Sequence, residues 1–130
     1  MDFTTAILSL GVISILLLIV EVNFTYATQG TSFGWSNNRP DVAYSPLAQR
    51  IKNAYGNQVE SISYTVPILA AAALTGLEHS GAETAALLMV IGRAIYGPLY
   101  ISGIPYARLV GFGMATLSSL YIAGTLLLNL

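Results

Sequence analysis

Two ionisable side chains, Glu60 and Arg93, lie inside stretches of sequence that are otherwise apolar enough to cross a membrane. A charge at the centre of a spanning helix costs roughly 2.5–3.5 kcal/mol on an insertion scale, so two unpaired charges would cost about 5–7 kcal/mol. Both charges are therefore expected to turn inward, toward each other or toward a hydrated cavity, and we predict that they compensate each other across the second and third helices, within one subunit or between neighbours. Such residues commonly mark functional sites; a buried ion pair that only fixes helix register is the structural alternative.

Further polar side chains accompany each charge along one helical face. The first set is Asn53, Asn57, Glu60 and Tyr64, and the second is Arg93, Tyr96 and Tyr100. Consecutive members of each set are three or four residues apart, a spacing that aligns side chains on one face of a helix. Together with Arg108 they could line a cleft for a small zwitterionic or anionic ligand, in which Arg and Tyr donors stabilise an anion. The tyrosines could instead anchor the chain at the membrane interface, and the asparagines could join helices.

The composition is that of an integral membrane protein. Hydrophobic residues make up 55% of the 130-residue chain and charged residues only 8%, whereas soluble domains carry about 25% charged residues. The absence of cysteine excludes disulfides, thiolate metal sites and a cysteine nucleophile. The single histidine, His79, has no clustered partner, so we predict no metal site. With a net charge of −1 and no basic run, nucleic acid is not an expected partner.

Apolar runs and turn signals predict an all-α protein, a bundle of four transmembrane helices in a single domain. The spans are expected at about residues 4–26, 47–77, 83–101 and 108–128. Ser45 and Pro46 should begin the second helix as an N-cap and a first-position proline. Pro67 is expected to kink that helix, and Gly97-Pro98 to interrupt the third. Residues 103–105 should form the turn into the fourth.

Motifs in the second and third predicted helices resemble those of the membrane-associated proteins in eicosanoid and glutathione metabolism, the MAPEG family. Asn57-x-x-Glu60, with Pro67 after it, is similar to the family's second helix. Gly92-Arg93-x-x-Tyr96-x-x-x-Tyr100 is similar to its third. Two further segments look like those of bacterial members: Asn38-Arg39-Pro40-Asp41 and Pro98-x-Tyr100-x-x-Gly103-Ile104-Pro105-x-x-Arg108. The resemblance covers almost the whole chain and implies a location in the bacterial inner membrane.

The resemblance also implies an assembly and an activity. Family members form homotrimers that bind glutathione between subunits near the cytoplasmic face. They transfer it to lipophilic electrophiles, reduce lipid hydroperoxides or isomerise eicosanoid precursors. By this resemblance Asn57, Glu60 and Arg93 bind the ligand, and Arg108, early in the fourth helix, stabilises the thiolate. We assign a second hydrogen bond to the thiolate to Tyr100, and further ligand contacts to Asn53, Tyr64 and Tyr96.

The chain departs from the usual family pattern at three positions. Members commonly carry Arg-x-x-Arg-Asn-x-x-Glu, and Asn53 and Gly56 replace the two arginines, which help to hold glutathione carboxylates. Tyr96 stands where a histidine is often found. A thiol other than glutathione is therefore an alternative ligand, and a non-catalytic membrane subunit that binds a partner protein or lipid is the alternative function. A proton-coupled exporter of cationic drugs is disfavoured because Arg93 would repel a cation.

The basic residues predict the orientation of the chain in the membrane. Arg39, Arg50, Lys52 and Arg108 lie in or beside the loops that join spans 1–2 and 3–4, whereas the 2–3 loop and both tails have none. Because short cytoplasmic loops are enriched in Lys and Arg, these two loops should be cytoplasmic and both termini should lie on the far side.

Reporter enzymes fused after Leu130 test this orientation. A reporter that works only outside the cytoplasm should be active, and a reporter that works only in the cytoplasm should be inactive. Activity confined to a cytoplasm-dependent reporter would contradict this orientation.

Overall fold

The chain folds into four long helices and one short one, with no strands. The computed structural model describes all residues, 1–130. Its helices are α1 (Phe3–Gln29), α2 (Thr31–Trp35), α3 (Pro46–Leu74), α4 (Ser80–Ser102) and α5 (Arg108–Leu128). Helices α3 and α4 each pack against the other three long helices, while α1 and α5 do not contact each other. The polar stripes predicted from the sequence therefore lie on the two central helices.

Three of the helices, α1, α4 and α5, are long and apolar enough to cross a membrane. Helix α3 has 29 residues and is long enough, but its polar side chains lower its mean hydropathy below that of the other three. Large apolar side chains on the outer faces of the helices, including Leu8, Val12, Leu117 and Leu120, are exposed. These exposed faces suit contact with lipid, and the prediction of an all-helical integral membrane protein is confirmed.

Side-chain caps begin α1 and α3. The backbone N–H and the hydroxyl of Thr5 donate to the carboxylate of Asp2, at 2.9 and 2.6 Å, and hold the pKa of Asp2 below its usual value. Ser45 Oγ accepts from the backbone N–H of Ala48 at 3.2 Å, and Pro46 occupies the first helical position. The predicted start of the second long helix is confirmed.

Helix α3 ends at Leu74, before the predicted end of the span at residue 77. Gly76 adopts a left-handed backbone conformation with φ of 63°, which glycine reaches without steric cost. The N–H of Leu77 then donates to the carbonyl of Ala72 at 3.0 Å, and that of Gly76 to Ala73 at 3.2 Å. These two bonds satisfy carbonyls at the helix end and reverse the chain toward α4.

Helix α4 continues through Pro98, so the predicted interruption at Gly97-Pro98 is wrong. Proline removes only one backbone hydrogen bond, and here it lies on an exposed side of a helix that three others support. Gly97 packs tightly on α1, since a Cβ atom at this position would lie 2.8 Å from Leu17 Cδ2. Helix α3 likewise continues through Pro67.

Two contacts define the ends of the bundle. Arg50 Nε donates to the carbonyl of Ile101 at 3.0 Å, which joins the start of α3 to the end of α4. At the opposite end, the amino group of Met1 lies 3.3 Å from the carbonyl of Glu83 near the start of α4. The segments between α1 and α3 and between α4 and α5 therefore share one end, together with Lys52 and Arg108; we call it the basic end.

Candidate functional site

A polar cavity of about 260 Å³ lies between α3, α4 and α5, toward the basic end. It is lined by Lys52, Asn53, Gly56, Asn57, Glu60, Tyr96, Tyr100 and Arg108. Six of the eight side chains singled out from the sequence are therefore neighbours in the folded chain. The helical spacing of the two stripes brings them together, because α3 and α4 are joined by a short turn and run antiparallel.

Guanidinium groups and tyrosine rings alternate from the interior of the bundle to the wall of the polar cavity. Arg93 Cζ lies 4.4 Å from the ring centroid of Tyr96, and Arg108 Cζ lies 4.7 Å from that of Tyr100. The two rings are themselves 5.7 Å apart. Cation–π contacts of this kind stabilise by about 0.5–1 kcal/mol at exposed sites and more when desolvated. They hold Arg108 beside the cavity, where its guanidinium has no ion-pair partner.

The hydroxyl of Tyr100 is oriented by α3. Asn53 Nδ2 donates to the Tyr100 hydroxyl at 3.2 Å, and Asn53 Oδ1 accepts from Gln49 Nε2 at 2.9 Å. Because the phenol oxygen accepts this bond, its own O–H proton is free to donate toward the polar cavity. Tyr100 is thus an available hydrogen-bond donor close to Arg108.

Arg93 does not line the polar cavity but lies behind it, 1% exposed. Its Nε donates to Gln58 Oε1 at 2.9 Å, and one terminal nitrogen donates to Asn57 Oδ1 at 3.0 Å. The other terminal nitrogen is buried without a partner. Two neutral amides and the Tyr96 ring therefore compensate the charge of Arg93.

The predicted pairing of Arg93 with Glu60 is wrong within the chain. Glu60 is exposed and lines the polar cavity, and the only ion pair of the chain joins Lys52 to Glu21, at 3.1 Å. The reason is helical geometry, because two residues turn an α-helix by roughly 200°. Gln58 therefore points into the bundle, where Arg93 lies, while Glu60 points away from it.

A second, apolar cavity of about 360 Å³ adjoins the polar one. It is lined by Asn57, Glu60, Ser61, Tyr64, Ile68, Phe112, Thr116, Ser119 and Leu120. Tyr64 therefore lies outside the polar cavity, one helical turn beyond Glu60. Asn57 and Glu60 belong to both cavities, so a polar and an apolar binding space meet at these two residues.

The sequence interpretation missed Gln58 and the α5 wall of the apolar cavity. Gln58, Ser61 and Thr65 are spaced by three and four residues, which defines a second polar face of α3, and all three are buried. Phe112, Thr116 and Ser119 follow the same kind of spacing on α5. In both helices the spacing of three and four residues is visible in the sequence and could have identified these residues. No group of three or more His, Cys, Asp or Glu side chains is arranged to hold a metal ion.

The fold and the site define a class: an all-helical membrane protein with a polar cavity that shares two lining residues with an apolar one. Residues 3–128 match the MAPEG family, and the chain belongs to that family. Membership relates it to membrane proteins of glutathione and eicosanoid metabolism. No curated protein and no solved structure matched the chain.

Replacing Arg93 tests how its charge is compensated. Arg93→Met should destabilise the protein by roughly 1–3 kcal/mol, since it leaves the buried Oε1 of Gln58 without a donor. Arg108→Met is the control, because it removes an exposed arginine that contacts only a tyrosine ring, and it should cost less than about 1 kcal/mol. Thermal unfolding in detergent measures both. Equal melting temperatures for wild type and Arg93→Met would contradict the compensation of Arg93 by the amides. An equally large loss of stability in Glu60→Gln would contradict it as well.

Proposed function

We propose that the chain is a membrane-bound, thiol-dependent transferase or peroxidase that uses glutathione, or another small thiol, and acts on lipophilic electrophiles or hydroperoxides. The observation that carries this proposal is the meeting of the polar and apolar cavities at Asn57 and Glu60. A hydrophilic thiol and an apolar acceptor have opposite solvation requirements. Adjacent cavities of opposite polarity can hold both reactants on one protein, and holding two reactants together is a large part of catalysis.

The charges around the polar cavity complement glutathione. At neutral pH this tripeptide carries carboxylates and an ammonium group, and the cavity offers Lys52 for a carboxylate and Glu60 for the ammonium group, which leaves Arg108 for the sulfur. Lys52 shares its charge with Glu21 and lies 4.7 Å from the Tyr44 ring. It stands beside Asn53 and Gly56, where other family members carry arginines, and supplies a positive charge in that region.

The chemistry requires a thiolate beside an apolar acceptor. A free thiol has a pKa of about 8.5, so little of it is ionised at pH 7. The bound thiol supplies the nucleophile. Its sulfur forms a bond to an electrophilic carbon, which releases that carbon's leaving group as an anion, or to the terminal oxygen of a hydroperoxide, which breaks the O–O bond, leaves a sulfenic acid on the thiol and releases the alcohol after protonation. Arg108, whose guanidinium has no ion-pair partner in the chain, lowers the pKa of that thiol by stabilising its anion. Tyr100 donates a second hydrogen bond to the sulfur, while Asn57 and Glu60 hold the peptide part.

We further propose that α3 is a fourth membrane span and that the active protein is a homotrimer. Glu60 is exposed on a single chain, and a carboxylate facing lipid is costly, so another copy of the chain should cover this face of α3. The basic end then faces the cytoplasm of a bacterial inner membrane.

Native mass spectrometry in mild detergent should give the mass of three chains, and a spectrum of monomers alone would contradict the trimer.

Thiolate formation tests the chemistry. Addition of glutathione to the wild type should produce the ultraviolet absorbance of a thiolate, and Arg108→Leu should abolish this signal while largely retaining the affinity for the thiol. Arg39→Leu is the matched control, because Arg39 contacts Phe33 and lies outside both cavities. It should behave like the wild type.

Two results would count against this chemistry in different ways. A wild-type protein that gives no thiolate signal with any small thiol favours a non-catalytic membrane subunit. An intact signal in Arg108→Leu removes the role from Arg108 and transfers it to another donor of the cavity, of which Tyr100 is the first candidate.

A further inference from the structure

A chain of hydrogen bonds runs from α1 through the core to the polar cavity. Gln58 Nε2 donates to Ser14 Oγ at 3.1 Å and lies 3.4 Å from the carbonyl of Leu10, both on α1. Gln58 Oε1 accepts from Arg93 Nε, and Arg93 donates in turn to Asn57 Oδ1. Gln58 is fully buried, so this connection crosses the interior of the bundle.

The arginine in the middle of this chain determines the direction of both amides. A guanidinium group can donate hydrogen bonds but cannot accept them. Gln58 and Asn57 must therefore turn their oxygen atoms toward Arg93, which leaves their NH₂ groups on the other side. For Gln58 the NH₂ group meets the acceptors of α1; for Asn57 it has no partner within the chain, and Asn57 lines both cavities.

We propose that Gln58 is a positioning residue, which acts through Arg93 to present the NH₂ group of Asn57 to the ligand. The ligand group it selects is a hydrogen-bond acceptor, a carbonyl or carboxylate oxygen of the thiol compound. This inference rests on the proposed function for the nature of the ligand.

Only an amide meets the two demands on residue 58. The side chain must offer an acceptor to Arg93 and a donor to Ser14. Glutamate keeps the acceptor and loses the donor, while methionine, which has a similar length, loses both. With methionine, Arg93 Nε loses its partner, and the guanidinium that fixes Asn57 is free to turn. The amide of Asn57 then no longer has a preferred direction.

The first experiment compares Gln58→Met with Gln58→Glu. Calorimetric titration with glutathione should give a dissociation constant about tenfold higher for Gln58→Met, the loss expected for one hydrogen bond. Gln58→Glu should bind within about threefold of the wild type, because it retains the acceptor for Arg93. At saturating glutathione the thiolate absorbance should be the same in both, since Arg108 is unchanged.

Thr65→Val is the matched control for disturbing the buried polar face of α3. Thr65 is fully buried, and its hydroxyl bonds only to the carbonyl of Ser61 on the same helix. This variant should bind glutathione like the wild type. An equal loss of affinity in Thr65→Val and Gln58→Met would assign a merely structural role to Gln58.

Asn57→Asp keeps the inference testable if Gln58→Met fails to fold. Its carboxylate still accepts from Arg93 but replaces the NH₂ donor by a charged acceptor. The protein should melt no lower than the wild type and bind glutathione at least about tenfold more weakly. Wild-type affinity in a folded Gln58→Met overturns the inference alone, whereas wild-type affinity in Asn57→Asp overturns both the inference and the assignment of Asn57 to the ligand. Failure of the wild type to bind any thiol overturns the proposed function, and the inference with it.

Discussion

The burial of a single guanidinium group constrains much of this fold. Arg93 is almost completely enclosed by helices, and a charge in such surroundings must be compensated by hydrogen bonds or by an opposite charge. Two amide oxygens from adjacent residues of α3 provide the hydrogen bonds, and the face of Tyr96 covers the group. Since Gln58 also contacts α1, the compensation of one charge connects three of the four long helices.

Compensation by amides has a consequence for the cavity. If a carboxylate compensated Arg93, its charge would be neutralised in the core and would not be available to a ligand. Here Glu60 remains at the wall of the polar cavity with no ion pair. The net positive charge beside the cavity therefore belongs to Lys52 and Arg108, at the basic end. An anionic or zwitterionic ligand meets cations at the basic end of the cavity and a carboxylate about two helical turns farther along α3, an arrangement that favours one direction of binding.

The spacing of polar residues predicted most of the site but not its internal pairing. Periods of three and four residues placed Asn53, Asn57 and Glu60 on one face, which is a local property of a helix. Whether Arg93 meets Glu60 or Gln58 depends on how α4 is rotated against α3, and packing between helices determines that rotation. The two glycines Gly92 and Gly111 show this dependence: a Cβ atom at Gly92 would lie 2.7 Å from the carbonyl oxygen of Gly111, so α4 and α5 touch through their backbones.

Local rules failed where tertiary contacts opposed them. The predicted break at Gly97-Pro98 is absent because neighbouring helices support α4 across the proline, and Gly97 admits Leu17 of α1. The end of α3 follows instead from a local signal, the left-handed Gly76, which ends the helix before the predicted boundary at residue 77. The four long helices, their order and the cap at Ser45 were predictable, because each depends on a few consecutive residues, whereas the short helix α2 falls in a stretch whose composition predicts a loop.

A pair of double-mutant cycles, followed by unfolding in detergent, tests the central claim most directly. One cycle combines Arg93→Met with Gln58→Met, and the other combines Arg93→Met with Glu60→Gln. Compensation by amides predicts a coupling energy of about 0.5–3 kcal/mol in the first cycle, as for residues in direct contact, and additive effects in the second. Additivity between Arg93 and Gln58, together with strong coupling between Arg93 and Glu60, would contradict the account.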